Sequence, residues 1–176
     1  MKKIYIVLMQ TNTIPNRLVS IFTNYEYGHV GISLKRNCNT IYSFGRRKLH
    51  SIINGGFTIE KKNGAFFSYF KDTKCKILEV NVTNAGYFKI RKILREMSKN
   101  RKKYKYDYTG IILRYFKIPF VRKNKYVCSY FVAYMLENSG VYKFDKKVSL
   151  VTPKDFSNLK SFKEIYTGKY SQYNIK

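Results

Sequence analysis

The apolar residues of this chain change period near residue 83, and that change limits the folds open to it. Before it they come in short runs or alternate. Ile4 to Met9 is a β-branched apolar run ended by polar residues, and Cys75 to Val82 places Leu78, Val80 and Val82 on one face. After it, Phe88, Ile90, Ile93, Leu94 and Met97 recur at helical spacing, with Lys89, Arg91, Lys92, Arg95 and Lys99 between them. A strand-rich first half feeding a helix-rich second half predicts an α+β fold. No repeat, linker or low-complexity block divides residues 1–176, so one domain is expected.

The other elements follow from local chemistry. Pro15 opens a helix whose apolar stripe is Leu18, Ile21 and Phe22. His29 to Leu34 and Thr40 to Phe44 read as strands joined by the polar turn 35–39, and Gly45 to Gly56 reads as a loop. Helices are expected over 84–103, over Thr109 to Phe116, and from near Cys128 to a C-terminal stop at Asn138, Ser139 and Gly140. The tail after Phe156 ends in a weak strand or loop.

Charge narrows the partners. Lys and Arg number 35 against 10 Asp and Glu, a formal charge of +25. Such a surface attracts polyanions: nucleic acid, an anionic lipid leaflet or an anionic wall polymer. The abundance of Lys, Asn, Ile, Tyr and Phe also fits an AT-rich coding sequence, so codon bias supplies a second origin for the charge. The basic run Lys99 to Lys105, with its tyrosines, is the segment that would serve a nucleic-acid-binding module. No recognisable DNA- or RNA-binding motif accompanies it. The run of apolar residues after Lys2 and Lys3 is short and lacks a small-residue cleavage site, and no stretch reaches the roughly 18 apolar residues of a membrane span. A cytoplasmic protein is the expectation.

Three cysteines without CxxC spacing support neither a disulfide framework nor a zinc site, and no metal or cofactor is expected. Cys38 lies in a polar turn and Cys75 at an exposed strand start beside lysines. Cys128 differs because it opens an amphipathic helix, where unpaired N–H groups and the helix dipole favour thiolate. Of the two histidines, His50 sits in a basic loop. His29 opens a strand that sets His29, Gly31 and Ser33 on one face, the glycine leaving room beside the imidazole. A cysteine at this position alone is better explained as a small buried hydrophobe, and His29 alone is equally well explained as a satisfied polar residue.

Taken together, the residues Gly28 to Ile32 on an early strand and Val127 to Val132 on a late helix resemble the circularly permuted branch of the NlpC-type papain-like cysteine hydrolases, in particular the YiiX-like group. Asn12 to Pro15, Ile41 to Arg46, Gly55 to Phe57 and Leu150 to Pro153 carry the likeness along the chain. The resemblance implies a permuted papain-like core, with the nucleophile at a helix N-terminus packed against an antiparallel sheet that carries the base. Carried over by position, Cys128 is the nucleophile, His29 the general base and acid, and Ser43 on the next strand the orienting third residue. Serine departs from the family's usual Glu, His or Asn and lacks the charge that stabilises imidazolium. Tyr130 departs as well, standing where Gln or Glu is common. Tyr27 and Ser129 fall at substrate- or oxyanion-facing positions.

The implied chemistry is thiolate attack on an amide, ester or thioester carbonyl, with cell-wall peptides, other small peptides and acyl lipids as substrate classes. An acyltransferase using the same site, a basic nucleic-acid-binding module and a non-catalytic papain-like scaffold remain the alternatives. Tyr104 to Tyr108 with Tyr115 and Phe116 would either rim a pocket or fill core.

Overall fold

A computed structural model describes residues 1–11, 19–21, 23–48 and 54–174. Its strands are β1 (Lys2–Gln10), β2 (His29–Ser33), β3 (Thr40–Arg46), β4 (Gly55–Lys61), β5 (Lys74–Val82), β6 (Lys105–Tyr106), β7 (Lys125–Tyr126) and β8 (Lys163–Lys169). They form one sheet in the order β7-β6-β4-β3-β2-β1-β5-β8. Every pairing is antiparallel except that of the two-residue strands β6 and β7. The helices are α1 (Ala65–Tyr69), α2 (Asn84–Lys99), α3 (Tyr108–Tyr115), α4 (Cys128–Asn138) and α5 (Pro153–Ser157). The chain is therefore α+β, as its apolar periods indicate.

The sheet buries both faces because its central strands are apolar on both. One face presents Ile4, Ile6 and Leu8 of β1, Val30 and Ile32 of β2, Phe44 and Phe57 to α2 and α4. The other gathers Tyr5, Val7, Met9, Ile41, Cys75 and Ile77 under Phe67 of α1 and the C-terminal Tyr170 and Tyr173. Register explains the split: Ile6 pairs with Ile32 and Leu78, while Val7 pairs with Gly31 and Ile77, so alternate residues feed alternate cores. Each fully buried side chain of the Leu or Phe class contributes about 1.5–3 kcal/mol relative to exposure.

Helix α2 begins where Thr83 accepts a hydrogen bond from the Gly86 N–H at 3.0 Å, a side-chain N-cap. It buries Gly86, Ile90, Leu94 and Met97, a spacing of three and four residues. Phe88 falls off that stripe and is exposed, contrary to the sequence expectation, because two residues along a helix turn it about 200° from Ile90. Helix α4 lies against β2 and β3 and buries Phe131, Val132, Ala133, Met135 and Leu136. It ends before Gly140, whose φ of +69° is the left-handed value that favours glycine.

Several expectations need correction. Residues 55–56 are not loop: they begin β4, which pairs with β3 along its whole length. The segment's glycines hid that strand. Cys75 is not exposed but completely buried, since the lysines beside it point to the opposite face of β5. Gly31 leaves no room for substrate: a Cβ there would stand 2.3 Å from Ile41 Cγ2, so the neighbouring strand occupies that space. Ile21 is exposed and outside the core. The predicted helix start at Pro15, its stripe residues Leu18 and Phe22, and His50 lie outside the described residues. No helix among the described residues is long and apolar enough to cross a membrane.

Candidate functional site

Cys128 is the first residue of α4, preceded by Val127 in extended conformation. Valine has no capping side chain, so the N–H groups of the first turn remain available. The backbone N–H groups of Ser129 and of Val30 in β2 lie close enough to the Cys128 sulfur to favour its ionised form. Packing of α4 on β2 therefore sets the sulfur at the start of the strand that His29 opens, close enough for each side chain to favour the charged form of the other.

The far side of the imidazole is held by two strands. His29 Nε2 lies 3.2 Å from Ser43 Oγ on β3 and 3.5 Å from Glu60 Oε1 on β4. Its ring sits over Gly45, where a Cβ would stand 3.5 Å from both the ring carbon Cε1 and Glu60 Oε1. Ser43 donates its own proton to the Val30 carbonyl at 2.6 Å, so toward His29 it acts as an acceptor. Glu60 is steadied by Thr58, whose hydroxyl donates to Oε1 at 3.1 Å. The other carboxylate oxygen, Oε2, is buried with no hydrogen-bond partner among the described residues.

These contacts set the protonation states. Burial alone would lower the His29 pKa, but hydrogen bonds to Cys128 and Glu60, together with their negative charge, outweigh it and raise the value to about 10. Burial likewise works to raise the Cys128 thiol. The His29 hydrogen bond and charge, and the Val30 and Ser129 N–H groups, reverse it and lower the thiol below its ordinary value. Cys38 and Cys75 have no such partner, and burial pushes both up to about 12. The geometry therefore favours an imidazolium–thiolate pair at one cysteine of the three.

Two cavities flank this pair. One of about 300 Å³ touches His29, Gly45, Glu60, Arg46, Arg101 and Tyr108. The other, about 390 Å³, touches Cys128, Ser129, Arg114, Tyr115 and the stretch Leu150 to Pro153. Tyr106 lines both and stands between them. Burial, and next the nearby Cys128 sulfur, hold its hydroxyl well above the ordinary value, so it stays a neutral donor. The tyrosine-rich segment thus divides: Tyr106, Tyr108 and Tyr115 rim the cavities, while Tyr104 packs in the core.

Of the residues singled out by sequence, Cys128, His29, Ser43 and Ser129 come together. Tyr27 does not join them. It is 2% exposed and packed in the main core beside Tyr25, and it lines neither cavity. Tyr130 stacks on Tyr126 with ring centroids 5.0 Å apart and is buried. Sequence reasoning missed Glu60 and Arg114. Glu60 had a usable signal, since Phe57 and Ile59 alternate with Thr58 and Glu60 in a chain with few carboxylates. Among the described residues no group of three or more His, Cys, Asp or Glu side chains is arranged to hold a metal ion.

Comparison with known proteins adds no family: no protein-family model matches the chain, and no curated protein matches it.

Proposed function

We propose that this protein is a cysteine hydrolase with a permuted papain-like fold of the NlpC type, acting on an amide, ester or thioester carbonyl through Cys128 and His29. The observation that carries the reading is the placement of Cys128 at the first turn of α4, packed on β2 beside His29, whose ring is held by Ser43 and Glu60. That placement drives Cys128 toward thiolate and His29 toward imidazolium, whereas burial pushes Cys38 and Cys75 the other way. A helix bearing the nucleophile, packed on an antiparallel sheet bearing the base, is the layout the resemblance leads one to expect.

In this mechanism the Cys128 sulfur attacks the carbonyl carbon. The oxyanion forms beside the first-turn N–H of α4, with the Tyr106 hydroxyl as a second donor in the place expected of Tyr27. His29 passes its proton to the leaving group and then draws one from water, which releases the acyl group. Glu60 and Ser43 hold Nε2, which leaves Nδ1 to serve the sulfur. An alcohol or amine in place of water would make the same site an acyltransferase.

Brief treatment with low-dose iodoacetamide near pH 6, followed by intact-mass and peptide analysis, tests the reading. Cys128 is expected to label while Cys38 and Cys75 stay silent. Equal labelling of the three thiols would refute an activated nucleophile and leave a non-catalytic scaffold.

The basic surface gives the protein an anionic partner, and lipid headgroups fit it better than nucleic acid. Ile112, Phe116, Ile118 and Val121 are exposed around α3 among Lys117, Arg122 and Lys123, at the edge of the cavity that holds Cys128. A bilayer can bury such side chains and a nucleic-acid backbone cannot. Co-sedimentation is expected with vesicles containing phosphatidylglycerol and not with pure phosphatidylcholine, weakened by salt and by Phe116→Ser. Binding to duplex DNA of equal strength and steeper salt dependence would reverse the preference.

A further inference from the structure

The cavity beside Cys128 contains a cation that nothing in the proposed reaction has used. Arg114, on the last turn of α3, lines it together with Cys128 and Ser129. Its Nε donates to the Ser149 carbonyl, which fixes the side chain. Both terminal nitrogens, Nη1 and Nη2, are buried and have no acceptor among the described residues. The guanidinium lies over the Tyr130 ring, 5.6 Å from its centroid, so one face is covered by an aromatic surface that accepts no ordinary hydrogen bond.

A buried guanidinium with two open donor groups is costly, because leaving a charged donor unsatisfied forfeits its hydration with nothing in return. Asp107 is the nearest carboxylate and its charge favours the guanidinium, but it is engaged through Oδ1, which pairs with Arg122 and accepts from the Gly110 N–H. Its Oδ2 is buried and makes no hydrogen bond to Arg114, and Asp107 does not line the cavity. Lys146, which lines the same cavity, is paired with Asp155 at 2.8 Å, and Lys117 adds a further positive charge to the lining. The Cys128 thiolate is balanced by His29 on its other side. No carboxylate lines the cavity among the described residues, and a guanidinium fork matches a carboxylate or a phosphate.

We infer that the Cys128 cavity takes substrates bearing an anionic group, a carboxylate or a phosphate, which Arg114 binds while the carbonyl lies at the sulfur. This rests on Cys128 being the nucleophile and names the chemical class of its substrate. Such an arrangement places binding energy next to the reacting bond, where it fixes orientation. It also selects against neutral analogues, which would leave the guanidinium unsatisfied.

Iodoacetate and iodoacetamide differ at one group, a carboxylate against an amide, and report on this site without a known substrate. The rate of each at Cys128 is measured near pH 6 at about 0.15 M salt, where distant surface charge is screened beyond about 8 Å. In Arg114→Gln the iodoacetate-to-iodoacetamide ratio is expected to fall about fivefold or more, with the iodoacetamide rate little changed. Arg114→Lys should keep part of the preference, and Lys89→Gln on the exposed face of α2 should keep all of it. Because Arg114 also anchors Ser149, wild-type protein supplies an independent reading. Inorganic phosphate or acetate should slow iodoacetamide at Cys128 more than chloride at equal ionic strength. Stronger protection by phosphate assigns the group to a phosphate, and equal or stronger protection by acetate to a carboxylate. If Cys128 labels selectively with iodoacetamide but the ratio is unchanged in Arg114→Gln and neither anion protects, the anion site is wrong and the nucleophile stands. If Cys128 does not label selectively, both fall together.

Discussion

Replacing His29 with alanine is expected to slow iodoacetamide labelling of Cys128 at pH 6 by about a hundredfold or more. The thiol sits in a balance between burial, which raises its pKa, and His29 with two N–H donors, which lower it. Cys38 and Cys75 show what burial does when no such partner is present, with values pushed up to about 12. Removing the imidazolium moves Cys128 in that direction, and each unit of rise costs tenfold in thiolate at a pH below the new value. The sign of the pH dependence follows. In wild type, thiolate is lost as pH falls through the lowered Cys128 value, so the rise of the labelling rate with pH should lie at lower pH than that of an ordinary thiol. In His29→Ala the rate should climb about tenfold per unit through neutral pH, as an ordinary thiol does. Turnover, unlike labelling, should also decline as pH rises through about 10, where His29 gives up the proton that the leaving group needs. A variant that labels at the wild-type rate at pH 6, with its thermal melt preserved, would show that His29 does not activate the sulfur.

The sequence pointed to Cys128 and His29, the proposed nucleophile and base, more readily than to the residues around them, and the reason is physical. Cys128 and His29 sit at element starts, where capping chemistry and strand alternation leave a local signature. The period change at residue 83 likewise marks β5 and α2 without any tertiary information. Glu60 and Arg114 act across the sheet and across a cavity, and no spacing along the chain encodes that. Strand β4 went unread because Gly55 and Gly56 look like loop chemistry, although their backbone pairs with Arg46 and Gly45 in regular register. That omission hid Thr58 and Glu60 together, and left Ser43 as the sole visible neighbour for His29. Tyr27 illustrates the opposite case: the resemblance placed it at an oxyanion- or substrate-facing position, yet the residue is buried in the core and lines neither cavity.

Glu60→Gln should therefore perturb the site more than Ser43→Ala, reversing the ranking that the strand order alone suggests. Among the described residues Glu60 brings the formal negative charge on the Nε2 side, 3.5 Å away, and its contact and its charge both raise the His29 pKa. Gln keeps its size and the contact with Thr58 but not the charge. The imidazolium then loses its counter-ion on one side, and its pKa should drop by about one unit or more. Ser43 lies closer, at 3.2 Å, yet its proton is committed to Val30, and a neutral acceptor stabilises imidazolium far less than a carboxylate does. Its removal should move the His29 titration by only a few tenths of a unit. With two histidines in the chain, the imidazole resonances can be assigned and followed directly by NMR across pH. His29 should remain protonated well above neutral pH in wild type and in Ser43→Ala, and titrate clearly lower in Glu60→Gln. The labelling rate of Cys128 at pH 6 should follow the same order. A larger shift in Ser43→Ala than in Glu60→Gln would return the orienting role to the serine. Because the carboxylate is held between Thr58 and His29 and leaves Oε2 unpaired, its charge is directed at the imidazole rather than spent on a surface lysine, the fate of Glu79, Asp155 and Glu164 elsewhere on this basic chain.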